Sequence, residues 1–309
     1  MKKIIGYLGS HFREECNKRY LLLATLFSVL ILFINFRYNF EYTYIKYDFN
    51  PEARLLKYIA LYAVTFGGAW LLQIAVDRKD KRLRSAKLWT MILFAVALFS
   101  LRAWFFQQRY WIDAHVSWEY QTWAYKCVAN LVGFVFLFIP CAVYWFFADR
   151  KNQPIYGFHA RGVVLRPYFF LLLCMLPLLL IAGSQPDFLQ VYPRAIFLNF
   201  PQTLPHKNWY TAFYEICYSS DYVVTEFFFR GFLILAFARL VDYKAILPMC
   251  VFYVAIHFDK PLGEAASSFL GGYILGILAY KTRSIYGGII VHLGIALLME
   301  GVGFMFQPH

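Results

Sequence analysis

The chain has 309 residues, of which 61% are hydrophobic, 21% aromatic and only 16% charged. An ordinary soluble domain is about half apolar, so this composition excludes the soluble classes and points to a polytopic membrane protein. The formal net charge of +12 does not imply a nucleic-acid partner, because the Lys and Arg residues gather in short loops between apolar spans.

The first twenty residues, MKKIIGYLGSHFREECNKRY, do not read as a cleaved signal peptide. Their apolar stretch is too short, and Arg13, Glu14, Glu15, Lys18 and Arg19 follow it. Apolar spans are predicted at about 20–36, 56–76, 88–106, 122–147, 167–183, 210–238, 245–258, 265–280 and 285–305. The fold class is all-α, a polytopic transmembrane helical bundle of about nine spans. The seventh span is short for a crossing, which is tolerated where a helix is buried among others. The sixth is long and starts at the membrane surface, with Trp209 and Tyr210 as interfacial anchors.

Basic residues fall in alternate loops. They occur before the first span, in DRKDKRLRSAK (77–87), at Arg150, Lys151, Arg161 and Arg166, at Arg239 and Lys244, and at Lys281 and Arg283. Lys/Arg excess marks the cytoplasmic side, so the N-terminus is expected inside and the C-terminus outside. The proline-containing loop 184–209 is expected to lie on the outer membrane surface. The six cysteines include no CxxC pair and read as small buried hydrophobes.

Character changes near residue 210. Before it the spans are bulky and aromatic; after it small residues and polar groups enter the spans, and Gly272-x-x-x-Gly276 permits close helix approach. This divides the chain into an N-terminal helical shell, 1–209, and a membrane core, 210–309.

An ionisable residue at membrane depth costs on the order of 2.5–3.5 kcal/mol and marks a site by default. Four stand out in the core: Glu226 and Arg230 within VVTEFFFRGF, then His257 and His292. Glu226 and Arg230 are four apart on a helix and can pair. A pair that only fixes packing is one reading, and arginine is a poor base. Each histidine alone reads equally as a hydrogen-bonded core residue. Two histidines and a glutamate in one core can instead activate water or polarise a carbonyl. There is no HExxH and no third clear ligand, so neither a metal nor another cofactor is expected.

These motifs together resemble the CPBP, or Abi, intramembrane proteases, which include type II CAAX prenyl proteases and bacteriocin-processing enzymes. Glu226-x-x-x-Arg230-Gly231 is similar to the end of their Glu-Glu-x-x-x-Arg motif, and Tyr253-x-x-x-His257 to Phe-x-x-x-His. The stretch 269–296 resembles their Gly-rich helix and His-x-x-x-Asn helix, so that order and spacing agree over about 215–300. The resemblance implies peptide-bond hydrolysis by a water that a glutamate and His257 activate, with His292 as an oxyanion donor and Glu226 and Arg230 in support. It also implies a transmembrane or lipidated protein or peptide as substrate or partner, and a prokaryotic plasma membrane as location.

Two positions depart from the pattern. Thr225 stands where the leading glutamate belongs, and Ala296 where the asparagine belongs. Threonine is no carboxylate base, and one lost oxyanion donor costs ~100–1000-fold in turnover. Asp221 lies one turn before Thr225 on the same face and is a possible substitute. Glu226 is another, at the price of turning its helix by about 100°. Three readings stay open: a divergent active endopeptidase, a non-catalytic pseudoprotease that binds or scaffolds a membrane partner, and a lipid-handling or transport protein.

Overall fold

Runs of apolar residues this long leave the backbone only itself as a hydrogen-bond partner in a bilayer, and the chain answers with helices. The computed structural model describes residues 2–159, 163–201 and 204–307. It is 82% helical, with no strand among the described residues; Arg161, one of the loop cations, lies outside them. We number the spans α1 Lys18–Tyr38, α2 Pro51–Val76, α3 Ala86–Trp104, α4 Trp118–Asp149 and α5 Arg166–Gly183. They continue as α6 Lys207–Glu226, α7 Ile246–Ala255, α8 Leu262–Thr282 and α9 Tyr286–Phe306. Local chemistry sets several starts. The side chains of Asn17, Asn50 and Ser85 accept from the first free N–H groups of α1, α2 and α3.

Among the described residues, seven helices are long and apolar enough to cross a bilayer. The other two spans are α6 and α7. Helix α6 bears Asp221 and Glu226 and runs on into a ten-residue π-helical stretch, Phe227–Ala236, that holds Arg230. Helix α7 has 10 residues, all buried. Polar residues therefore weaken the span signal of α6, and shortness alone removes α7. The chain is an integral membrane protein, and the outward apolar side chains of α1, such as Leu22, Leu26, Val29 and Phe33, face lipid.

The ends of the helices meet on two opposite faces. On one, Lys244 bonds to Asp77 and Asp80 at 2.8 and 2.9 Å, Arg82 reaches Asp242 at 2.7 Å, and Lys281 reaches Glu15. The N-terminal segment and the loops after α2, the π stretch and α8 thus share a face, as the alternation of basic loops requires. A polar cavity of about 110 Å³ lies there, bordered by His11, Gln73, Asp77, Lys244 and Tyr273. On the opposite face, Asn35 at the end of α1 donates to the Phe258 carbonyl. There too, Glu300 on α9 accepts from the backbone N–H groups of Arg194 and Ala195 in the long loop.

The packing centre lies around the π stretch and α7. Phe227, Phe228, Phe229, Phe232 and Phe252 are all fully buried. Close approach of α8 to α7 depends on the small residues read from the sequence. A Cβ at Gly272 would stand 3.1 Å from the Tyr253 ring, and one at Gly276 3.0 Å from Met249.

Candidate functional site

Glu226 ends the α-helical part of α6, and the π stretch begins at the next residue. Such stretches are rare and frequent at functional sites. All ten residues of the stretch, mostly apolar, are buried, and Arg230 is carried inward among them. Glu226 and Arg230 are both fully buried, with Arg230 Nη1 2.9 Å from Glu226 Oε1. The expected pair exists, but charge and packing hold it. None of the three guanidinium nitrogens is aimed at an acceptor among the described residues. Instead the guanidinium lies over the Tyr253 ring, 4.2 Å from its centroid.

The same Glu226 oxygen is 2.8 Å from His292 Nδ1. The other nitrogen of His292, Nε2, is 3.0 Å from the Tyr253 hydroxyl. Arg230, Glu226, His292 and Tyr253 therefore form a closed ring of four side chains drawn from three elements. Tyr222, one turn before Glu226, closes edge-on against His292 at 4.7 Å between ring centroids. Glycine at 288 makes the approach of α9 possible, since a Cβ there would overlap Glu226 Oε2.

His257 lies just beyond α7 and packs against Tyr253 at 4.6 Å. Its Nδ1 is 2.7 Å from the Tyr253 carbonyl oxygen, which accepts the Nδ1 proton. That bond fixes the tautomer and leaves Nε2 as the basic nitrogen, and Nε2 makes no hydrogen bond among the described residues. All four residues singled out in the sequence thus gather around Tyr253. His257 touches the ring of four through Tyr253 and makes no direct bond to Glu226.

Both substitute carboxylates are engaged by a cation or histidine, Asp221 through both oxygens and Glu226 through Oε1 alone, its Oε2 having no hydrogen-bond partner among the described residues. Both oxygens of Asp221 accept from Arg102 Nη2 on α3, at 2.6 and 2.7 Å. Glu226 is committed to His292 and Arg230. Thr225 is half-buried. Ala296 is buried among Cys127, Leu198, Tyr214, Cys217 and Tyr218, and its own side chain has no donor to offer. No group of three His, Cys, Asp or Glu side chains that could hold a metal occurs among the described residues.

Tyr253, Tyr222, Gly288 and Arg102 are the neighbours that reading motifs did not single out for a role. For Tyr253 the signal was present, because a hydroxyl stands where the resembling pattern has phenylalanine. For Arg102, 119 residues from Asp221, no local pattern pointed to the pairing.

Comparison with known proteins agrees with the geometry. Residues 209–298 match the family described as type II CAAX prenyl endopeptidase Rce1-like. No curated protein and no solved structure matches the chain. The matched segment spans Glu226, Arg230, His257 and His292, the same residues that the helices bring together, and so the chain carries a region similar to the Rce1-like type II CAAX prenyl endopeptidases.

Proposed function

We propose that this protein is a CAAX-protease-like membrane protein that holds a transmembrane or lipidated peptide at the His257–His292 site without hydrolysing it. The observation that carries this reading is the pair of bonds from Arg102 to Asp221. With Asp221 spent and Glu226 tied to His292, His257 has no carboxylate partner in place of the one missing at Thr225. What remains is a polar, preorganised ring in an apolar core, suited to recognising an amide. In this reading the chain divides into a shell at 1–209 and a core at 210–309 and sits in a prokaryotic plasma membrane; the Lys/Arg excess in alternate loops supports a cytoplasmic N-terminal face.

The test uses purified protein in lipid with membrane-peptide substrates. Wild type is expected to bind peptide and leave it intact. Thr225→Glu places a carboxylate one residue ahead of Glu226, and His257-dependent cleavage is expected to appear. The double variant with His257→Ala is expected to lose it again. Cleavage by wild type that disappears in His257→Ala overturns the reading.

One observation favours an active hydrolase instead. His257 keeps a basic Nε2, and the Tyr253 hydroxyl beside His292 is a donor of the kind lost at Ala296. If wild type cleaves, Tyr253→Phe is expected to lower turnover by ~100-fold, as removal of an oxyanion donor does.

A further inference from the structure

The long loop between α5 and α6 contains a guanidinium with no assigned partner. Arg194 is half-buried, yet no carboxylate lies within ion-pairing distance of its side chain among the described residues. Its Nε is buried without an acceptor. The neighbouring carboxylate of Glu300 is used on the backbone, accepting from the N–H groups of Arg194 and Ala195 at 2.8 and 3.3 Å. Glu264 is used as well, on the Tyr192 hydroxyl at 3.1 Å and near Lys260 at 3.8 Å. The main chain at Arg194 is thus pinned, while its charged group makes no ion pair among the described residues.

The surroundings hold that group in place. Its Cζ lies 5.5 Å from the Tyr192 ring centroid and 5.7 Å from that of Tyr218. Tyr218 bonds to the Tyr222 hydroxyl at 2.6 Å, and Tyr222 packs on His292. An unbroken ladder of aromatic rings therefore runs from Arg194 to the site. Lys260 also stands by Tyr192, 5.9 Å from its ring centroid, and adds to the positive character. A partly desolvated arginine left without an anion is costly unless a ligand supplies one.

We propose that Arg194 anchors a carboxylate subsite at the mouth of the His257–His292 site, taking the acidic end of a ligand whose apolar chain runs along the tyrosine ladder. A guanidinium presents a planar fork that fits a carboxylate with two parallel hydrogen bonds. The source of the carboxylate is the C-terminus of an apolar peptide or the head of a fatty acid. The inference rests on the reading that the histidine site is where ligand lies, but it does not depend on hydrolysis.

Binding to the full protein in nanodiscs tests it. The probes are an apolar peptide as free acid and as C-terminal amide, and palmitate with its methyl ester. The acid form of at least one pair is expected to bind about 10- to 100-fold tighter, the worth of a hydrogen bond to a charged group. Arg194→Gln is expected to abolish that preference while leaving the amide or ester affinity unchanged; Arg194→Lys is expected to keep part of it. Which pair shows the preference identifies the source. Equal affinities within both pairs for wild type overturn the proposal without need of any variant, as does a preference that survives Arg194→Gln. His292→Ala reports separately on the underlying reading: if the amide peptide binds this variant as well as wild type, the ligand does not lie at the histidines.

Discussion

Helix α6 and the π stretch after it carry two arginine–carboxylate pairs, and they are built differently. Asp221 takes two short contacts from Arg102, a residue of another helix, and both side chains are 22% exposed. Glu226 and Arg230 come from adjacent turns, are 0% exposed, and meet without aimed hydrogen bonds between them. The first pair has the geometry of a clamp between helices. The second leaves Glu226 free to accept from His292 and Arg230 free to lie over Tyr253, so its apparent imperfection ties four side chains together. Charged pairs on one helix therefore differ in kind according to what else their atoms touch.

The largest expected effect comes from breaking the inner pair. Glu226→Gln leaves a buried guanidinium without its counter-charge and is expected to cost about 3–5 kcal/mol, measured by denaturant titration in mixed micelles. Adding Arg230→Met removes the orphaned charge and is expected to recover much of that loss. If the double variant is no more stable than the single one, the pair is not the electrostatic unit described. Gly288→Ala comes next. Its Cβ would overlap Glu226 Oε2, and overpacking of this kind costs about 1–3 kcal/mol. Gly272→Ala, which meets only the edge of a ring at 3.1 Å, is expected to cost less in the same assay. Equal losses would show that the carboxylate is not what α9 closes upon.

The difference between the pairs also marks how far the sequence could be read. Local spacing was enough for Glu226 and Arg230, because residues four apart on a helix share a face whatever the rest of the chain does. Long apolar runs and alternating basic loops were enough for an all-α membrane bundle. The span signal was weakest at α6, where charges lower the hydropathy, and at α7, which is apolar but only 10 residues long. Asp221 was legible as a residue on the face of Thr225 and illegible as the partner of Arg102, since only the packed bundle brings α3 against α6. The role of Glu300 was hidden for the same reason. It accepts from the backbone of a loop 105 residues earlier.

The outer pair should behave as a clamp if the comparison is right. Asp221→Asn keeps the shape and removes the charge, and it is expected to cost about 1.5 kcal/mol, a hydrogen bond to a charged group. Peptide binding per folded molecule is expected to stay at the wild-type level. A loss of binding or of any cleavage, at unchanged stability, would move Asp221 from the clamp into the site and revive it as the missing carboxylate.

The smallest effect lies on the N-terminal face, where Asp80 offers a control of ordinary surface electrostatics. Hydrogen bonds from Arg82, first, and from Lys244 hold its carboxyl well below the usual carboxylate range. A depressed folded value means that the unfolded chain takes up the proton first. The stabilisation is therefore complete above about pH 3.9, the ordinary value for aspartate, and drains away as pH falls through the lower folded value. Arg82 is half exposed, so water screens the interaction, and Asp80→Asn is expected to cost at most ~1 kcal/mol at neutral pH. Melting curves should show the variant and wild type converging as the buffer is taken below about pH 3.9. Added salt should narrow the gap at neutral pH, whereas the cost of Glu226→Gln, sealed from solvent, should hardly respond. A salt response as large at Glu226 as at Asp80 would mean that water reaches the inner pair and that the two environments are not distinct.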